Sequence, residues 1–188
     1  MLRTTARGLE ILLEWAVILL MVILTVVVMV AVMFRISGNS LSWYDEVAAI
    51  LLSWITYYGA ALAALKRRHI GFDTVLLAIP MPWRMVALAL AEIVVLGFFY
   101  LLATTGLEVL EVLEGERLVS LTWVPIQFTQ SVIPVGAALF IVCELLSLPE
   151  YWTKTARGVS LEHAEIEEEV ETEMQKAAVL AAEKGRTN

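Results

Sequence analysis

WYDEVAAILLSWITYYGAALAALKRRHIGFD, residues 43–73, decides how the rest of the chain is read. Val47 to Leu65 carries no charge, and at ~1.5 Å per residue such a helix covers most of a ~30 Å hydrocarbon core. Trp43 and Tyr44 stand at its start, where amphipathic rings favour the headgroup layer. Asp45 and Glu46 follow in the first turn, facing the positive end of the helix dipole, and Ser42 with Asp45 is the expected cap. Lys66, Arg67 and Arg68 crowd the far end, so the excess of bases in cytoplasmic loops places residue 66 inside and residue 45 outside.

The remaining chain is read against that orientation. Of its 188 residues 60% are hydrophobic, too many for a soluble domain of this size, and the pattern is that of an all-α membrane protein. Four transmembrane helices are expected, at about 11–34, 43–66, 83–105 and 124–148, within a membrane domain covering residues 1–152. Arg3, Arg7, Lys66, Arg67, Arg68, Arg84, Lys154 and Arg157 lie near the expected inner ends, against Arg35 and Arg117 outside, which gives both termini a cytoplasmic position. The first apolar run is too long for a cleaved leader and no small-residue cleavage pattern follows it, so it reads as an uncleaved signal anchor.

Punctuation separates the spans. Ser37, Gly38, Asn39 and Ser40 form a turn after Arg35, and Pro80 and Pro82 precede the third span. Glu108, Glu111 and Glu114 recur every three residues on a helix that continues past the third span, with Gly115 as its stop. Pro125 suits a helix start, whereas Pro134 lies inside the fourth span and should kink it or free a carbonyl. Residues 153–188 form an acidic cytoplasmic tail in which Ile166, Val170, Met174, Ala177 and Ala181 make a narrow apolar stripe. That stripe fits either a solvated amphipathic helix or a docking surface.

The net charge of −7 comes largely from that tail and the outer loop, so it does not describe the membrane domain. No basic surface for nucleic acid is present. The single cysteine, Cys143, permits no intrachain disulfide and no cysteine-based metal site, and it reads as a small buried hydrophobe. No metal site or cofactor is expected: His69 and His163 are not placed to face each other across a haem, and phosphate-loop, nucleophile-elbow, zincin and dinucleotide motifs are all missing. Enzymatic activity is therefore disfavoured.

Three carboxylates, Glu14, Glu92 and Glu144, fall within the spans, each in the inner half. Intramembrane acids mark proton or ion paths unless they find partners or reach the headgroups. Here Lys66, Arg67, Arg68 and Arg84 are available on the same side. The small and hydroxyl residues of the second span, among them Ser53, Thr56, Gly59 and Ala60, suit close helix packing.

Taken in order, Arg35, Ser42-Trp43, Glu46, Trp54, Gly59-Ala60-Ala61, His69-Ile70 and Asp73 resemble the small permease subunit of tripartite ATP-independent periplasmic (TRAP) transporters, the DctQ-like family. The likeness continues through Ser120-Leu121, Pro125 and Ile133-Pro134-Val135-Gly136, and covers about residues 10–150. The resemblance implies a multi-pass subunit of the bacterial inner membrane, acting as a scaffold for a large multi-span permease subunit. That partner would carry the substrate and sodium sites, and a periplasmic solute-binding protein would deliver an organic anion such as a dicarboxylate. On this reading Arg35, Trp43, Glu46, Trp54, Gly59, His69, Asp73 and Pro134 serve assembly or membrane placement, and none is catalytic. The alternative is a self-sufficient four-helix proton-coupled exporter using Glu14.

Overall fold

The computed structural model describes residues 2–66, 79–156, 170 and 174–176. Arg67, Arg68, His69, Asp73 and most of the acidic tail lie outside the described residues. The elements are α1 (Leu2–Ile36), α2 (Tyr44–Leu65), α3 (Trp83–Val112), the short α4 (Ile126–Gln130) and α5 (Val132–Ala156). Among the described residues the fold is all-helical, and four helical segments are long and apolar enough to cross a membrane, the last running through α4 and α5. In lipid every backbone polar group must be paired within the chain, so helix is the stable form even for the β-branched run of α1.

The turn after α1 is a Schellman closure. Asn39 N–H donates to the Phe34 carbonyl and Gly38 N–H to the Arg35 carbonyl, both at 3.1 Å. Gly38 adopts φ +80°, where a Cβ would be strained. Helix α2 departs from the expected cap: Trp43 is its N-cap residue and no side chain caps it. The carboxylate of Glu46 is turned to the segment at residues 119 and 120 instead. Helix α3 runs well past residue 105, as the glutamate spacing implied, and Gly115 closes the following turn at φ +87°.

Pro134 acts at a helix break. Its nitrogen has no proton for the Gln130 carbonyl, and its ring crowds that carbonyl, so α4 ends at Gln130 and α5 starts two residues later. Pro134 thus stands in the first turn of α5, whose interior proline is Pro149.

The four spans form an open row. α1 packs on α2, α2 on α5, and α5 on α3; α1 meets α5 only slightly, and no comparable contact joins α1 to α3. α5 is consequently the most enclosed span, while α1 is almost wholly uncovered. The shared core is Leu13, Ala61, Ala64, Phe140 and Cys143, with the rings of Phe99 and Phe140 stacked at 3.6 Å. Small residues set the spacing. A Cβ on Gly136 would come within 2.7 Å of Tyr57 Cβ, and one on Gly106 within 3.1 Å of Pro134 Cδ. At these points the α2–α5 and α3–α5 pairs leave little or no room for a further carbon.

Candidate functional site

At one end of the row a carboxylate organises the loop between α3 and α4. Glu46 sits in the first turn of α2, and its two oxygens accept the backbone N–H groups of Val119 at 3.1 Å and Ser120 at 2.9 Å. Charge-assisted bonds of this kind are about twice as strong as neutral ones. Ser120 Oγ donates to the Ser42 carbonyl at 3.0 Å, adding a second tie to the same turn. The loop is itself a short hairpin. Ile126 N–H donates to the Glu116 carbonyl and Leu118 N–H to the Val124 carbonyl, and Arg117 Nη1 donates to the Thr122 carbonyl. Gln127 Nε2 reaches the Leu110 carbonyl at 2.9 Å, fixing the hairpin to the last turn of α3.

Below this clamp, Trp54 bridges α2 and α4. Its indole Nε1–H donates to the Thr129 carbonyl at 3.1 Å, and its ring lies against Phe128 and Tyr58. Trp54→Phe keeps an aromatic ring there but removes the donor beside a buried residue, Thr129. A denaturant titration of the purified chain should show about 1 kcal/mol lost, the net worth of one such bond; an unchanged midpoint would mean the bond contributes nothing.

The opposite end is closed by charge. Lys66, directly after α2, pairs with Glu14 of α1 and lies 3.3 Å from Glu10 on the preceding turn. Glu14 therefore belongs to a clamp between α1 and α2. The hydrogen bond to Glu14 raises the Lys66 pKa above 10.5, with Glu10 adding in the same direction and burial opposing it. A raised lysine pKa means that the pair's stabilisation is fully present below 10.5 and is lost as pH rises through the folded value. Unfolding midpoints measured from neutral pH upward should stay level and then fall in the wild type, whereas Lys66→Met should lack that component of the fall. All three side chains are more than a quarter exposed, so the effect is small.

Ser147 Oγ donates to the Ala64 carbonyl at 3.1 Å, joining α5 to α2 near the same end. Glu92 of α3 and Glu144 of α5 are both buried, and both are partnered. Arg84 donates through Nε to the Ile79 carbonyl at the start of α3. Arg35 is exposed on the last turn of α1, Trp43 is half-buried, and Gly59 faces open space on α2. The exposed hydroxyls of Ser53 and Thr56 turn back onto the Ala49 and Leu52 carbonyls, which leaves that side of α2 without outward polar demands.

The structure thus gives three predicted residues contacts between elements, Glu46 from α2 to the α3–α4 hairpin, Trp54 from α2 to α4 and Pro134 from α5 to α3, while Arg35 is exposed and Gly59 faces open space. Sequence reasoning missed Glu10, Gly106 and Ser147. Glu10 had a readable signal, since it stands four residues before Glu14 on the same helical face. Gly106 and Ser147 had none, because their roles depend on which helix lies opposite. Among the described residues no group of histidine, cysteine and acidic side chains is arranged to hold a metal ion.

A row of four helical segments long and apolar enough to cross a membrane, tied near both ends by bonds within the chain, defines a multi-pass helical membrane protein. The chain belongs to the DctQ component family of tripartite ATP-independent periplasmic transporters, whose family model matches residues 24–154, more than half its length. That family is a family of inner-membrane transporter components, not of enzymes. Comparison with curated proteins returns no match.

Proposed function

We propose that this chain is the small scaffold subunit of a TRAP-type secondary transporter. It assembles with a large permease subunit and a periplasmic solute-binding protein to drive uptake of an organic anion, such as a dicarboxylate, on a sodium gradient. The open row is the observation that carries this reading: among the described residues the spans leave wide apolar surfaces uncovered, which a neighbour in the bilayer can cover. Its polar groups support the same role, since Glu46 ties α2 to the hairpin and Lys66 ties it to α1. A part that must stand still while another moves benefits from such ties at both membrane boundaries.

The excess of bases beside residue 66 and at Arg84 supports an orientation with both termini in the cytoplasm and Glu46 at the periplasmic boundary. Arg35, Trp43, Gly59, His69 and Asp73 are then assigned to partner contact or membrane placement, and the tail to the cytoplasm. Glu14 has Lys66 as its partner, so nothing in its surroundings favours a self-sufficient exporter.

Purification from native membranes should bring down a large multi-span protein, and vesicles holding both subunits and the binding protein should accumulate an organic anion when a sodium gradient is imposed. Vesicles holding this chain alone should not. Transport by the isolated chain, or labelling of residues 66–68 from the periplasmic side, would overturn the proposal.

A further inference from the structure

The four most exposed large apolar residues among those described all lie at the Glu46 end of the row: Val119 at 88%, Val112 at 83%, Ile36 at 78% and Trp123 at 76%. Ile36 ends α1, Val112 ends α3, and Val119 and Trp123 project from the hairpin between α3 and α4. Water is a poor environment for such side chains, and removing them from it is favourable. From this geometry we infer that the hairpin is a membrane foot: it inserts Val119 and Trp123 into the boundary between headgroups and acyl chains.

The position of the hairpin supports this occupant. Glu46 holds residues 119 and 120 beside the first turn of α2, and Gln127 holds the base against the last turn of α3. The first turn of α2 opens an apolar span, and another begins at Ile126, three residues after Trp123. The hairpin therefore stands at the depth where the apolar surface stops. Its exposed surface is continuous with that of the spans, since Phe128, one turn into α4, is also exposed.

The spread of the four residues distinguishes a lipid boundary from a soluble protein. Ile36 and Val112 end α1 and α3, two helices that share no substantial contact, so the four residues do not form one compact patch. A flat boundary meets residues at one level along such a row simultaneously, whereas a protein footprint would have to cover the whole end. Charge narrows the lipid: Glu114 and Glu116 are exposed on the same connection, which favours zwitterionic over anionic headgroups.

The test uses the full chain in phosphatidylcholine vesicles and isolates Trp123 as the emission lost in Trp123→Phe, a change at an exposed ring that leaves the clamp bonds in place. When the acyl chains carry bromine close to the headgroup, this difference emission should fall at least about twofold, as expected for an indole at headgroup depth. Iodide in the water should leave it nearly unchanged. Quenching by iodide without quenching by brominated lipid would overturn the inference. So would insensitivity to brominated lipid that appears only when the solute-binding protein is added, because a protein would then own the surface. Neither result bears on whether the chain supports transport, so this inference and the proposed function fail separately.

Discussion

Gly136→Ala should weaken the fold more than any other single methyl group added to the described spans. The new Cβ would sit 2.7 Å from Tyr57 Cβ, with two further Tyr57 ring carbons at 3.1 Å. The nearest atom is a Cβ, not the far end of a flexible side chain, so rotation of Tyr57 cannot relieve the clash. Helices α2 and α5 must move apart, and the pair they form is the central contact of the row. Overpacking of this kind costs about 1–3 kcal/mol. Thermal unfolding in detergent should register the loss clearly. Because every residue except glycine carries a Cβ, Tyr57→Ala should fail to rescue the variant, whereas Tyr57→Gly should recover part of the spacing. Gly59→Ala is the control: nothing lies within 4 Å of the added carbon, and a helical glycine replaced by alanine should gain stability. Equal midpoints for the Gly59 and Gly136 variants would show that the close approach is not a constraint.

That contrast also shows what sequence can and cannot specify. Residue 59 lies in a run of small residues that reads as a packing surface, yet it faces open space, while Gly136 is covered. The spans themselves were legible, because lipid leaves helix as the only open solution and runs of apolar residues mark its length. Turn residues were legible for the same local reason: Gly38 and Gly115 stand where a positive φ is required. The order of helices in the row was not legible. A span that is apolar on every side has no polar face to orient it, and the residues that meet across α2, α5 and α3 are far apart in the chain. The cap of α2 was misread because Ser42 and Asp45 satisfy a local pattern, while Glu46 is used by residues more than seventy positions away.

Glu46→Ala should release the hairpin while leaving the helical core intact. The substitution removes the acceptor for two backbone N–H groups, those of Val119 and Ser120. Bonds to a charged acceptor contribute about 1.5–3 kcal/mol each when shielded. One of these is exposed and the other only part-buried, so about 2 kcal/mol for the pair is the expected local loss. In hydrogen exchange, that loss should speed exchange at residues 119 and 120 by roughly thirtyfold, since each 1.4 kcal/mol is tenfold. Ala61 and Ala64, buried in the α1–α2–α5 core, should keep their protection. Glu46→Gln distinguishes charge from shape. It retains one oxygen but turns an NH2 toward the second backbone donor, so it should restore one bond and leave the other unmade. Glu46→Asp keeps the charge but shortens the reach by a methylene, and should behave more like alanine than like glutamine. Unchanged exchange at residues 119 and 120 in the alanine variant would mean that the hairpin holds its shape by its own cross-bonds, from Ile126 to Glu116 and from Leu118 to Val124. In that case Glu46 would be left with only its favourable position at the start of α2.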